Sequence, residues 1–138
     1  MFSMLDVSAS ALDAYRVRMD VIANNVANIN TTRDAQGRSV PFRRRVALFS
    51  QGAPGAPSGQ GVRVSAVVED PAPARKVYEP EHPDAVRTGP DKGYVYYPNV
   101  SSEVEMVDMI IATRAYQANI TAYEAGKSII VAAARLIL

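Results

Sequence analysis

Cysteine and tryptophan are absent from this 138-residue chain, and histidine occurs once. Without a thiol there can be no disulfide staple, no thiolate metal ligand and no cysteine nucleophile, and the redox compartment is left open. Proline is absent before Pro41 and after Pro98, and seven of the eight glycines also fall between Gly37 and Pro98. Proline blocks a helix interior and glycine weakens one by about 1 kcal/mol, so both ends of the chain are free to form long helices and the middle is not. Charge of either sign is not in excess. Fifteen basic against fourteen acidic residues leave a net +1, which gives no general pull toward nucleic acid or an anionic membrane. Long apolar runs are missing as well. The most apolar stretch, Ser128–Leu138, includes Arg135 and falls short of the about 20 residues of a membrane span. The opening MFSMLDVSASALDAY has neither a basic leader nor an apolar core, which argues against a cleavable secretory signal.

What is present is a seven-residue apolar repeat at each end. In the first segment Leu5, Ser8, Leu12, Tyr15, Met19, Ile22, Val26 and Ile29 alternate spacings of three and four. Such a stripe predicts a helix of roughly 25 residues, nearly 40 Å long at 1.5 Å per residue. Asn28, Asn30 and the threonines Thr31 and Thr32 should end it near Asn30. In the last segment Val104, Asp108, Ile111, Ala115, Ala118, Ala122, Ala125, Ile129, Ala132 and Leu136 repeat in the same way. Its many alanines predict a seam that lets the bulkier first helix approach closely. Ser102 and Glu105 have the spacing of a capping box at its start. Residues 129–138 are apolar on nearly every face, so the end of this helix needs cover from outside the chain.

The fold class expected is therefore mainly α: long N- and C-terminal helices paired as an antiparallel coiled coil, with a small β-rich, loop-rich central insert. The boundaries are residues 1–32 for the first helix, 33–98 for the insert and 99–138 for the last helix, both helices forming one domain. Within the insert, short β-prone runs lie at Phe42–Phe49, Gly61–Val68, Arg75–Tyr78 and Gly93–Tyr97. Val62, Val64 and Ala66 alternate with Arg63, Ser65 and Val67, as in a half-buried strand. The stretch QGAPGAPSGQG from Gln51 to Gly61 reads as low-complexity loop.

Chemistry-bearing clusters are few. His82 stands between Glu81 and Pro83, with Asp84 beyond, but proline prevents helical presentation and no second histidine or cysteine exists to complete a metal site. A turn histidine is the better reading. Arg43, Arg44 and Arg45 lack an aromatic ladder, and strand alternation turns Arg44 away from its two neighbours, so a solvated or intersubunit face is favoured over nucleic-acid binding. Asn24, Asn25 and Asn28 share a helical arc of about 100°, away from the apolar stripe. They suit either a solvated back face or amide hydrogen bonds to neighbouring subunits.

The run LDAYRVRMDVIANNVANINTT from Leu12 to Thr32 closely resembles the N-terminal signature of bacterial flagellar axial proteins of the rod and hook. YEPEHPDA at Tyr78–Ala85, GYVYYPNV at Gly93–Val100, EMVDMI at Glu105–Ile110 and ATRAYQAN at Ala112–Asn119 look like the proximal-rod members of that family. The length disfavours relatives with long central domains. Two segments depart from the family pattern: Arg87–Lys92 lengthens the loop before Gly93, and Gly52–Gly61 is unusually rich in glycine and proline.

The resemblance implies a non-enzymatic building block of the basal-body rod, exported through the flagellar type III apparatus and assembled in the periplasm. Its implied partners are other rod subunits, copies of itself and the export apparatus, with no nucleic acid, no membrane insertion and no cofactor. Candidate subunit-interface residues are then Leu12, Tyr15, Met19, Ile22, Asn24, Asn25, Val26 and Asn28 in the first segment. In the last they are Ile111, Ala115, Ala118, Asn119, Ala122, Ala125, Ile129 and Leu136. The alternative is a soluble helical adaptor or export chaperone that uses the same repeats to hold a partner.

Overall fold

The first helix, α1, runs from Phe2 to Ala27 and carries the expected stripe along most of its length. In the computed structural model, which describes residues 2–52 and 61–137 with side chains from Met4 to Arg135, Ala11, Ala14 and Ile22 are buried, and so is Ser8. Leu5, Leu12, Tyr15, Met19 and Ile29 are half-buried. The stripe fails in the last turn, where Val26 is exposed and Asn25 is buried in its place. The helix also stops short of Asn30. The side-chain Nδ2 of Asn28 donates to the Asn24 carbonyl at 2.9 Å, and its Oδ1 accepts from Thr31 Oγ1 at 3.1 Å. These local bonds replace the helical ladder and turn the chain.

Two antiparallel hairpins follow. β1 (Arg45–Gln51) pairs with β2 (Val62–Glu69), with a register shift between Leu48 and Phe49. β3 (Arg75–Tyr78) pairs with β4 (Tyr94–Tyr97), opposing Arg75 to Tyr97 and Tyr78 to Tyr94. All four match the β-prone runs within a few residues. The first hairpin leans on α1, where the Tyr15 and Phe49 rings meet edge to face at 5.4 Å and Val62 N donates to Ser10 Oγ at 3.1 Å. Its alternation holds only at Val62 and Val64; from Ser65 to Glu69 the strand is exposed throughout. Residues 53–60, most of the glycine- and proline-rich loop, lie outside the described residues.

The last helix, α2, spans Ser102–Ile137. Its cap is Ser101, whose Oγ accepts from Val104 N at 3.4 Å and donates to Glu103 at 2.7 Å. The Ser102–Glu105 capping box does not form, because Glu105 is fully buried and bonded elsewhere.

The helices pair antiparallel, as expected. Arg18 meets Asp108 at one end, Thr113 reaches Met19 in the middle, and Leu5 lies over Gly126 at the other. The buried seam of α2, however, is not the alanine seam. Glu105, Ala112 and Gly126 are buried on α1, flanked by half-buried Met109, Tyr116, Asn119 and Ile130. That repeat lies one residue along from the expected one, a rotation of about 100°. Ile111 and Ile129 are consequently 52% and 55% exposed, and Ala118, Ala125 and Ala132 face out with them. Ala115 and Ala122 are half-buried, and the Leu136 side chain lies outside the described ones. Among the described residues no helix is long and apolar enough to cross a membrane.

The Leu5 side chain packs directly onto the α2 backbone at Gly126, where an added Cβ would stand 3.0 Å from Leu5 Cδ2. Gly126→Leu should therefore cost about 1–3 kcal/mol through overpacking, while Ala118→Leu on the open side should change stability by less than about 0.5 kcal/mol. Urea unfolding of the two variants, followed by circular dichroism, checks the ordering; a larger loss at Ala118 would reinstate the alanine seam.

Candidate subunit-contact surface

Where α1 ends and α2 begins, the chain's interior is polar. Asn25 is 1% exposed and makes three hydrogen bonds: Oδ1 accepts from Arg45 N at 2.9 Å, and Nδ2 donates to Arg45 O at 2.8 Å and to Glu105 Oε2 at 3.0 Å. The other Glu105 oxygen accepts from Arg44 Nε at 2.6 Å. The same guanidinium reaches Asp108 at 3.1 Å and Asp70 at 3.6 Å. Asn99 completes the junction by accepting from Arg44 N at 2.8 Å and donating to the carbonyls of Asp70 and Ala72. Partial burial works against the Arg44 cation, but Glu105, by hydrogen bond and charge, with Asp108 and Asp70 behind it, outweighs that cost and raises its pKa.

This geometry corrects two readings of the sequence. Arg44 is not simply solvated; it is half-buried among carboxylates of its own chain, with its arginine neighbours exposed. Asn25 has no surface to offer a neighbouring subunit within this fold, and of the three clustered amides only Asn24 is exposed. Asn28 folds back onto the helix, and Asn119 does the same by donating to Ala115 O at 2.8 Å.

Because α2 turns Glu105 and Asp108 inward here, several of its apolar residues point out. Val104, Met106, Val107, Ile110 and Ile111 are each more than half exposed, at 52, 61, 56, 59 and 52%. Surface aliphatics scattered singly need no explanation, but five within eight residues form a contiguous patch. Farther along, Ala118, Ala125, Ile129 and Val131 continue an open apolar side. Leu12, Tyr15, Met19 and Ile22 are by contrast engaged inside the chain, on α2 or the first hairpin. The outward residues Met106, Val107 and Ile110 were missed as candidates. Their signal was the burial of Glu105, which the sequence hides.

The segment before β4 is held by two carboxylates. Asp84 accepts from Arg33 Nε at 2.6 Å and Thr32 Oγ1 at 2.7 Å, tying this loop to the residues after α1. Asp91 accepts from Lys76 at 2.8 Å and Tyr96 OH at 2.5 Å. His82 lies in the turn, where its Nδ1 accepts from Asp84 N at 3.1 Å and its ring meets Tyr97 edge to face. Among the described residues no group of three or more potential ligands could hold a metal ion.

A helix pair that buries Glu105 and leaves a run of large aliphatic side chains exposed defines a subunit suited to assembly. Known proteins agree. A family model described as "Flagella basal body rod protein" matches residues 5–33, and one described as "Flagellar basal body rod FlgEFG protein C-terminal" matches residues 91–136. The chain is 43% identical to the flagellar basal-body rod protein FlgC of Bacillus subtilis, over 96% of this chain and 95% of that one. It is 42% identical to FlgC of Borreliella burgdorferi, over 93% and 91%. With FlgC of Escherichia coli O157:H7 the identity is 40%, over 93% and 91%. The chain belongs to the flagellar basal-body rod protein FlgC family. It is accordingly a structural component of the rod and not an enzyme, and the adaptor or chaperone alternative falls away.

Two predictions follow from this geometry. Asn25→Ala leaves Arg45 N and O without their partners and exposes Glu105 to an apolar methyl, which should destabilise the chain by about 1–3 kcal/mol; Asn24→Ala, on the exposed side, should be neutral or slightly favourable. Thermal unfolding of each variant measures the contrast. The Asp84 carboxyl is held below the ordinary carboxylate range, chiefly by the hydrogen bond from Arg33 and then by that from Thr32, and Asp91 is lowered likewise by Lys76 and Tyr96. Both groups are depressed in the folded chain, so their stabilisation is complete above about pH 4 and is lost as pH falls through the lower folded values. Carboxyl titration by NMR should place both midpoints below about 3.9, and Arg33→Gln should move Asp84 toward that value and leave Asp91 where it is.

Proposed function

We propose that this chain is built into the rod through the outward side of α2, which packs on neighbouring rod subunits and on further copies of itself. The observation that carries this reading is the apolar patch at Val104, Met106, Val107, Ile110 and Ile111, exposed while Glu105 of the same turns is buried. A helix start arranged in this way leaves surface that a monomer gains nothing by exposing. Ile111, Ala118, Ala125 and Ile129 extend the contact along the helix, and Asn24 and Val26 offer a smaller one on α1. Leu136 belongs to the same repeat by its sequence position. The two terminal helices act as one unit with the central segment as an insert. Torque then passes through many staggered apolar contacts and no single residue performs chemistry. The family membership supports export through the flagellar type III apparatus and assembly in the periplasm.

Val107→Asp and Ile111→Asp test the surface directly. Each side chain is more than half exposed in the isolated chain, so helix content should hold and stability should change by no more than about 0.5 kcal/mol. Export should be retained while rod formation and motility are lost. Wild-type motility in both variants would show that neighbouring subunits pack elsewhere.

A further inference from the structure

The C-terminal sequence contains two seven-residue repeats, one residue apart, that could each pair with α1. One places Val104, Ile111, Ala118, Ala125 and Ile129 inward, with Ala115 and Ala122 beside them; it is the more uniformly apolar of the two. The other places Glu105, Ala112, Asn119 and Gly126 inward, with Met109, Tyr116 and Ile130 beside them, and this is the one the chain adopts. Apolar burial alone does not decide between them, since the adopted one covers Met109, Tyr116 and Ile130 but also a carboxylate and an amide, and leaves Ile111 and Ile129 more than half exposed. What distinguishes the adopted arrangement is that Glu105 reaches Arg44 and Asn25 at 2.6 and 3.0 Å. Asp108 belongs to the first repeat by its spacing and is half-buried in the adopted arrangement, bonded to Arg44 and Arg18.

We infer that the buried contact of Arg44 and Asn25 with Glu105 is a rotational lock, which selects the face that α2 turns toward α1 and so keeps its more apolar face free for other subunits. Arg44 and Glu105 act as positioning residues: neither belongs to the contact surface, yet both decide which surface is offered. The physical logic is that of a polar residue buried in a coiled-coil seam, which gives up apolar stability and fixes register in return. Placing Glu105 on any other side of α2 would strand its charge or leave Arg44 buried beside too few anions, so the competing rotation is disfavoured by the unpaired group it creates. The inference about the free face rests on the assembly role proposed above; the inference about the lock does not.

The absence of cysteine makes the test direct, because an introduced thiol is the sole one in the chain. Ala118 is exposed in the adopted rotation and covered in the other, whereas Gln117 is exposed and lies far from both seams. Ala118→Cys and Gln117→Cys are labelled with a maleimide in dilute monomer, in the parent and in an Arg44→Met, Glu105→Leu background. In the parent both thiols should react at comparable rates. In the unlocked background the rate at position 118 relative to 117 should fall by about tenfold or more, as the apolar face turns onto α1. An unchanged ratio with helix content intact overturns the lock. Should the double substitution lose helicity, Glu105→Gln, which keeps the shape and removes the charge, takes its place. The relative rate should then fall by about threefold, and constancy again overturns the proposal. An unlocked chain that covers position 118 yet still forms functional rods would sever the lock from assembly and remove the outward face from its proposed role, with the lock itself upheld.

Discussion

The short contact between Arg44 and the fully buried Glu105 is the constraint on which the arrangement of this chain depends. It joins the strand leading into β1 to the first turn of α2, and Asn25 brings the end of α1 to the same carboxylate. Three separate parts of the chain, distant in sequence, are thereby tied at one point. Desolvating a carboxylate is costly, and one ion pair alone rarely compensates for it. Here both Glu105 oxygens are bonded, and the arginine draws on Asp108 and Asp70 as well, so no buried polar side-chain atom is left without a partner among the described residues. A fully satisfied polar cluster of this kind specifies one arrangement more sharply than apolar contacts do.

The helix pair away from that point has a different character. Toward the N-terminus of α1 it depends on close approach of small residues, with Ala11, Ala14, Ala112 and Gly126 buried where the helices face each other or the hairpin. Bulk comes from Leu5, Met19 and Tyr116 at the margins. Small-residue contacts hold helices close but discriminate weakly between rotations, because one alanine resembles another. The polar end supplies the discrimination that the alanine-rich end lacks, and under the assembly role proposed above its outcome is an outer face that stays apolar until other subunits cover it.

Much of this was legible in the sequence. The exclusion of proline and most glycine from both ends announced the helices, and the β-prone runs fell within a few residues of all four strands. The LDAYRVRMDVIANNVANINTT segment gave the family, which the relatives then showed. The seam of α2 was misread because periodicity weighs apolar positions only: a rule that looks for alanine and isoleucine at spacings of three and four cannot see that Glu105 has a partner 61 positions away in the chain. Asn25 was misread for the same reason. An amide within an arc of amides looks solvated or intermolecular until the backbone of Arg45 is placed beside it. In both cases the missing information was a long-range polar contact, which leaves no local pattern.

The two hairpins have a further consequence. Each sheet has only two strands, so among the described residues every strand is an edge strand, with no neighbouring strand on one side. Edges of this kind template uncontrolled pairing between chains. The sequence blunts them with charge: Arg45 lies opposite Glu69 in the first hairpin, Arg63 breaks its valine run, and Arg75 and Lys76 open β3. The bulge between Leu48 and Phe49 adds twist where the first hairpin would otherwise run flat. Pairing along the backbone edges is thus disfavoured, and under the assembly role proposed above growth would proceed by side-chain contact along the helix and not by strand addition.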